Sequence, residues 1–409
     1  MTKTIEVLDA LPGCGKTYAI FDYMAMDLSK PWLYLSPMKD EIDFRVDKES
    51  KRTNMEFYIP REGTDSTKTD QVLEFLKEGH NVACTHNLMH RFTRAHITML
   101  KAQGYNVVCD ETLDLLSGYN MVKDDWNFLK NQGLISIDEN TGRISFQDVE
   151  MGEKARYSDV KLLCDLGCLF SAKRSERMLV TQLSLDLMSV CNRFVLITYN
   201  YKGSIMDAFL GLHGYSSIPL DLGRVKLIKE SETVRKEIST LLRFIETPAT
   251  KVIQKKFSLS KSWWTTATKE HKDSVTKAMV GVKTKTKTHN SKIIFTTPKI
   301  VSYRLKPEAY QMSFKNISQS SWIACNTRAT NDYADRTLVI HSYNLFPNVA
   351  VKSYLQDQGL VCDDDTYALN MLIQWVFRGC IRDHKHMDIA ILSGRMNTIF
   401  MNWLMKVQV

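Results

Sequence analysis

Lys16 and Thr17 close the stretch "ALPGCGKT" (Ala10 to Thr17), where two glycines, a lysine and a threonine stand at phosphate-loop spacing. Gly13 and Gly15, on either side of Cys14, would let backbone N–H groups approach phosphate oxygens. Lys16 would bring a point charge to the β and γ phosphates, and the Thr17 hydroxyl would ligate Mg2+. The helix opening here would add the positive end of its dipole. Further on, "VVCDE" is an apolar run ending in two acids. Asp110 would hold the Mg2+, directly or through water, and Glu111 would orient and deprotonate an attacking water. Adjacent acids after such a strand favour hydrolysis of a bound nucleotide with Mg2+ over simple nucleotide binding.

A third constellation lies near the C-terminus. In "QWVFRGCIRDH", Gln374, Arg378 and Arg382 are spaced four and four, which on a helix gives them one face. An amide and two guanidiniums there could neutralise charge on a transferring phosphoryl group. The plainer alternative is a solvated basic face. "SWIACNTRATND" carries Asn326, Arg328, Thr330 and Asn331 after a candidate strand, and "ACTHNL" carries Thr85 and His86. Either loop could bond a nucleic-acid phosphate backbone or cap a helix. From Lys251 to Lys292 eleven lysines face two acids, a local excess of nine that exceeds the net +8 of the chain. Trp263 and Trp264 lie inside this segment. Lysines track phosphates and indoles stack on bases, although both tryptophans could equally anchor a core. "KTKTKTHN" reads as mobile, ordering on a polyanion.

These groups need a scaffold to position them. Apolar runs at Thr4–Leu8, Pro31–Pro37, Asn81–His86, Tyr105–Glu111 and Arg193–Asn200 read as strands, with helical segments such as Thr17–Leu28 between them. Such alternation predicts an α/β fold with a parallel sheet. A second series runs through Gly223–Lys229, Ser291–Thr297, Ser321–Thr327, Arg336–Ser342 and Met387–Ser393. The expected division is a first domain over residues 1–215, with an insertion at about 114–186, and a second over 216–409 carrying the basic segment 251–292.

With 409 residues, 44% hydrophobic and 24% charged, the chain can bury substantial cores. It has no apolar run long enough to cross a bilayer, and its start lacks a signal-peptide pattern. Nine scattered cysteines read as reduced thiols, so a cytoplasmic location is expected. Cys164 and Cys168 sit at helical spacing without a second pair at metal-ligand spacing.

The phosphate loop, then "LYLSP", "CTHNL", "CDE", "LITYN", "IIFTT", "CNTRATND" and "QWVFRGCIR" in this order resemble the ordered motifs of superfamily 2 helicases and translocases. The chain looks most like a phage- or plasmid-encoded branch, which would place it in the host bacterial cytoplasm. The resemblance implies two RecA-like domains with ATP between them. Lys16, Thr17, Asp110 and Glu111 would come from the first, and Gln374, Arg378 and Arg382 from the second. Thr198 matches the motif that couples hydrolysis to strand movement. The implied activity is an ATP-driven helicase or translocase on single-stranded or forked DNA, with replication or recombination proteins as partners. The chain departs from the usual pattern in four places. Ala10 replaces the first loop glycine, Glu111 is followed by Thr112-Leu113, "TYN" replaces the commoner "TAT", and the arginines are four apart. Which arginine is the finger stays open. A small-molecule kinase and a non-enzymatic nucleic-acid-binding protein are the competing expectations.

Overall fold

Short apolar runs dominate the strands because both faces of a parallel sheet are covered, which leaves no solvent face for alternating polar residues. The computed structural model describes residues 3–63, 66–147, 155–223, 225, 227, 232–299, 317, 319–327 and 332–405. The strands of the first half are β1 (Lys3–Asp9), β2 (Trp32–Ser36), β3 (Val82–Thr85) and β4 (Asn106–Asp110). Next come β5 (Leu116–Tyr119), β6 (Ile135–Ile137), β7 (Ile144–Phe146), β8 (Leu169–Ala172) and β9 (Ser175–Gln182), then β10 (Arg193–Thr198) and β11 (Tyr215–Pro219). Six of these form one parallel sheet in the order β11-β1-β10-β4-β2-β3. Every residue of β2 and of β4 is buried. β11 was not expected from the sequence; it pairs with β1 at the edge.

Spatial grouping divides the chain into two units, and the division is not the single cut near residue 215 that the sequence suggests. The first unit holds Met1–Asp9, Phe21–Asp221 and Pro347–Asp363. The second holds Ala10–Ile20, Leu222–Phe346 and Asp364–Val409.

In the first unit, β5, β9 and β8 make a small antiparallel sheet and β6 and β7 a hairpin, within the expected insertion. Their core gathers Trp126, Leu129, Ile135, Ile144, Val160 and Leu179. The late helix Val349–Asp357 also belongs here. Gln182 Nε2 donates to the Tyr354 hydroxyl at 2.6 Å, and the Lys173 N–H donates to Asp357 Oδ2 at 2.5 Å.

The second unit is built on β12 (Leu242–Phe244), β13 (Ile293–Thr296), β14 (Leu338–His341) and β15 (Met387–Ile391), all parallel in the order β12-β15-β14-β13. The α/β class with two parallel sheets is therefore as expected. The strand expected at Ser321–Thr327 is instead a 3-10 turn at Gln319–Ser321 followed by one bridge between Trp322 and Phe295. The strand expected at Gly223–Lys229 falls largely outside the described residues. "KTKTKTHN" is ordered: the helix Lys269–Thr286 runs into it, Lys287 ends that helix at φ +55°, and Lys285 Nζ donates to Glu246 O at 2.7 Å.

Candidate active site

The phosphate-loop segment leaves β1 at Ala10 and becomes helical at Lys16, where the helix Lys16–Ala25 begins. Both glycines are required by conformation, with φ +84° at Gly13 and +87° at Gly15, a region that side chains with a Cβ rarely adopt. Their surroundings differ. A Cβ on Gly15 would meet nothing within 4 Å, so the space beside this part of the loop is open. A Cβ on Gly13 would come within 3.3 Å of the Cβ and the carbonyl oxygen of Arg382, which groups with the loop in the second unit. Lys16 is buried and folds back over the loop, its Nζ donating to Ala10 O at 2.6 Å and Leu11 O at 3.1 Å. Two loop carbonyls thus occupy an ammonium whose third proton is left for another acceptor. Thr17 is half-buried on the first helical turn. Burial raises the Cys14 thiol above its ordinary value against the lowering effect of Lys16. Open space at Gly15, a buried ammonium and a helix start fit a polyphosphate chemically.

In the first unit, β4 delivers Asp110 at its carboxyl end with 6% of its surface exposed. The Tyr34 hydroxyl donates to Asp110 Oδ2 at 2.7 Å. Glu111 follows with φ +64°, an uncommon conformation for a residue other than glycine, and its N–H donates to Ile197 O at 2.8 Å. This bond to the end of β10 turns the chain sharply off the sheet right after Asp110. Such sparsely populated backbone is held by its surroundings and concentrates at functional sites.

Sequence reasoning overlooked the acid beside this pair. Glu41 precedes a π-helical turn, Ile42–Val46. It accepts from Ser36 Oγ at 3.2 Å and pairs with Arg45 Nη1 at 2.6 Å. Burial first, then the charge of Asp110, push the Glu41 carboxyl up to about 7 against the pull of Arg45. Tyr34 was overlooked as well. Its signal is a phenol in the wholly buried strand "WLYLS". Asp9 was the third omission: its carboxylate accepts the N–H groups of Asn200 at 2.6 Å and Tyr201 at 2.8 Å, tying the residue before the loop to the turn after β10. Thr198, the coupling candidate, is fully buried beside Asp9 in register, and its hydroxyl has no partner.

The arginine constellation differs from expectation. The helix Asp364–Val376 ends before either arginine, so Gln374 is on the helix while Arg378 and Arg382 are not, and the shared face does not exist. Gly379 is the physical cause. It is extended (φ −75°, ψ −177°), and a Cβ there would sit 2.4 Å from Met387 Sδ and 3.1 Å from Val339 Cγ1. The chain therefore leaves the helix, passes tightly over β14 and β15, and re-forms as the 3-10 turn Cys380–Asp383 carrying Arg382. Arg378 is buried and its Nη2 donates to Thr327 O at 3.2 Å, whereas Arg382 is half-buried.

The nucleic-acid candidates are placed as follows. Thr85 caps the short helix His86–Met89 by accepting from the Leu88 N–H at 3.2 Å. It also lines a cavity of about 600 Å3, with Lys39, Lys68, Arg91, Asp43 and Glu62 among the other lining residues. His86 is buried, with Nε2 3.6 Å from Cys109 Sγ, and does not face solvent. Trp264 is 1% exposed and donates from its indole N–H to Ser342 O at 3.2 Å, so it is a core anchor with no face for a base. Trp263 is half-buried, with its ring 5.0 Å from that of Phe257. Asn326 is exposed in a turn, while Arg328, Thr330 and Asn331 lie outside the described residues. The lysines of 251–292 are carried by the helices Pro248–Lys256, Lys261–Thr266 and Lys269–Thr286. Among the described residues no helix is long and apolar enough to cross a membrane.

Two solved structures align with 98% of this chain and 94% of theirs. One, titled "XPD_Helicase", has 12% identity and a TM-score of 0.44; the other, "Structure of S. tokodaii Xpd4", has 13% and 0.43. These scores are too low to assign a function. The SPbeta prophage-derived uncharacterized protein YonV of Bacillus subtilis (strain 168) is 25% identical over 420 residues, spanning 98% of this chain and 99% of that protein. Residues 236–404, which contain all four strands of the second sheet, match the family model described as the YonV C-terminal Rossmann-like domain.

Proposed function

We propose that this chain is an ATP-driven nucleic-acid helicase or translocase, acting on single-stranded or forked DNA in phage replication or recombination. The observation that carries the reading is the loop: two left-handed glycines, Lys16 at a helix start and the Arg382 backbone packed against Gly13. Gly13, Cys14 and Gly15 offer backbone donors to phosphate, and Lys16 exchanges its loop carbonyls for phosphate oxygens. Thr17 and Asp110 would hold Mg2+, which on binding supplies charge to the phosphates and polarises them for attack. Glu111 accepts the proton of the attacking water. Arg382 is the finger in this reading, because its turn lies at the loop. Gln374 has a supporting polar role on the preceding helix. Asp9 would link nucleotide state to the turn beyond Thr198.

Strand contact is proposed at the Thr85 cavity, at Asn326 with its neighbours Arg328 and Thr330, and along the lysine-rich helices. These are phosphate contacts, so affinity should fall steeply with salt and show little sequence preference. The test is ATP hydrolysis with and without single-stranded DNA. Lys16→Ala should abolish it. Arg382→Ala should cut turnover by about 10³-fold with nucleotide binding retained, as loss of a finger does, and Arg378→Ala should cost less. Strand-stimulated turnover surviving Lys16→Ala would sink the assignment.

A further inference from the structure

Asp110 has a buried neighbour that no motif predicts. β2 and β4 are adjacent and parallel, with Tyr34 opposite Val108. Side chains alternate along strands, so Tyr34, Val108 and Asp110 share one face of the sheet. The phenol must span two residues, about 6–7 Å of strand, to reach the carboxylate, and its hydroxyl does so at 2.7 Å from Oδ2. The ring is held from below by Phe21, centroid to centroid 5.2 Å. Tyr34 is 2% exposed and Asp110 6%, so water is largely kept from this bond.

The donor to Asp110 is a neutral phenol. Glu41 is a second, partly buried acid nearby, held by Arg45 at 2.6 Å and by the Ser36 hydroxyl at 3.2 Å. A neutral O–H fixes one oxygen and leaves the negative charge in place.

We infer that Tyr34 is the positioning residue for Asp110, holding its carboxylate oriented to receive a divalent cation while preserving its charge. The inference rests on the proposed nucleotide site and names how that site holds its metal ligand in place. Outer partners of metal ligands commonly carry 10–100-fold of metal affinity.

The experiment follows binding of a fluorescent ATP analogue to the full chain across a Mg2+ titration and, separately, in EDTA. Tyr34→Phe keeps the ring against Phe21 and removes only the hydroxyl. It should raise half-saturating Mg2+ about 10-fold and leave metal-free nucleotide binding unchanged. Combined with Asp110→Asn, the substitution should add no further Mg2+ shift, since its partner no longer holds the cation. An unchanged Mg2+ midpoint in Tyr34→Phe overturns the role of Tyr34 while leaving the nucleotide site intact, as does an equal loss of binding in EDTA. Absence of any Mg2+-dependent binding by the unaltered chain overturns the site itself, and the inference with it.

Discussion

His341 should make the second unit acid-labile, and the size of the effect follows from its burial. The ring is fully buried at the end of β14, and neither nitrogen has a hydrogen-bond partner. Its neighbours do not help: Thr296 Oγ1, opposite in register, and Trp375 Nε1, whose ring meets the imidazole edge-on at 5.2 Å, are also unpartnered. Burial lowers the imidazole from its ordinary 6.5 to about 3. The unfolded chain therefore takes up a proton below pH 6.5 that the folded chain refuses, and stability is lost as pH falls from 6.5 towards 3. At about 1.4 kcal/mol per pH unit, the loss reaches about 2.7 kcal/mol at pH 4.5. For a unit of 150–250 residues that is a fall of about 5–11 °C in melting temperature. Scanning calorimetry of the unaltered chain and His341→Leu between pH 7.5 and 4.5 reads it directly, because carboxylate titrations common to both cancel. The leucine chain should be at least as stable at pH 7.5, having lost two unsatisfied buried nitrogens, and should gain on the unaltered chain as pH falls. Parallel decline of the two would refute the account.

Two further outcomes are expected. Gly13→Ala and Gly15→Ala incur a similar left-handed penalty of about 1–2 kcal/mol, but only the Cβ at Gly13 meets a neighbour, a tight 3.3 Å from Arg382, which has to give way by a few tenths of an ångström. Gly13→Ala should therefore melt lower than Gly15→Ala without nucleotide, and equal melting temperatures would contradict the packing of Arg382 on the loop. Glu111→Gly relieves φ +64° and should abolish ATP hydrolysis with the fold retained; turnover surviving the substitution would contradict the role given to Glu111.

Much of the scaffold was legible because the sheets are parallel. Five-residue apolar runs such as "NVVCD" and "WLYLS" have few alternatives once turn residues bound them. The loop was legible because each of its residues has a local task. The arginine helix was misread because nothing local in "FRGCIR" shows that Gly379 lies against Met387 and Val339; that contact comes from another part of the chain. The tryptophans were ambiguous for the same reason, since only the position of Ser342 decides that Trp264 faces inward. Tyr34 and Glu41 escaped notice because their importance lies in a neighbour more than sixty residues away. The helix Val349–Asp357 has an ordinary amphipathic pattern, and no residue in it announces that it belongs to the first unit.

That helix bears on synthesis at the ribosome. A domain made of one continuous stretch can fold as soon as its last residue emerges, N-terminal domain first. Here the first unit awaits Pro347–Asp363, and the second uses Ala10–Ile20 from the very beginning of the chain. Until residue 363 is made, β8 and β9 lack the cover supplied by Tyr354 and Asp357. The nascent chain thus carries an uncovered apolar face, Ala172 and Val180 without Val351, Tyr354 and Leu355, from the completion of β9 until residue 363 is made, and a chaperone that shields it should raise the yield of folded protein. A fragment ending near residue 215 should remain in that exposed state and aggregate.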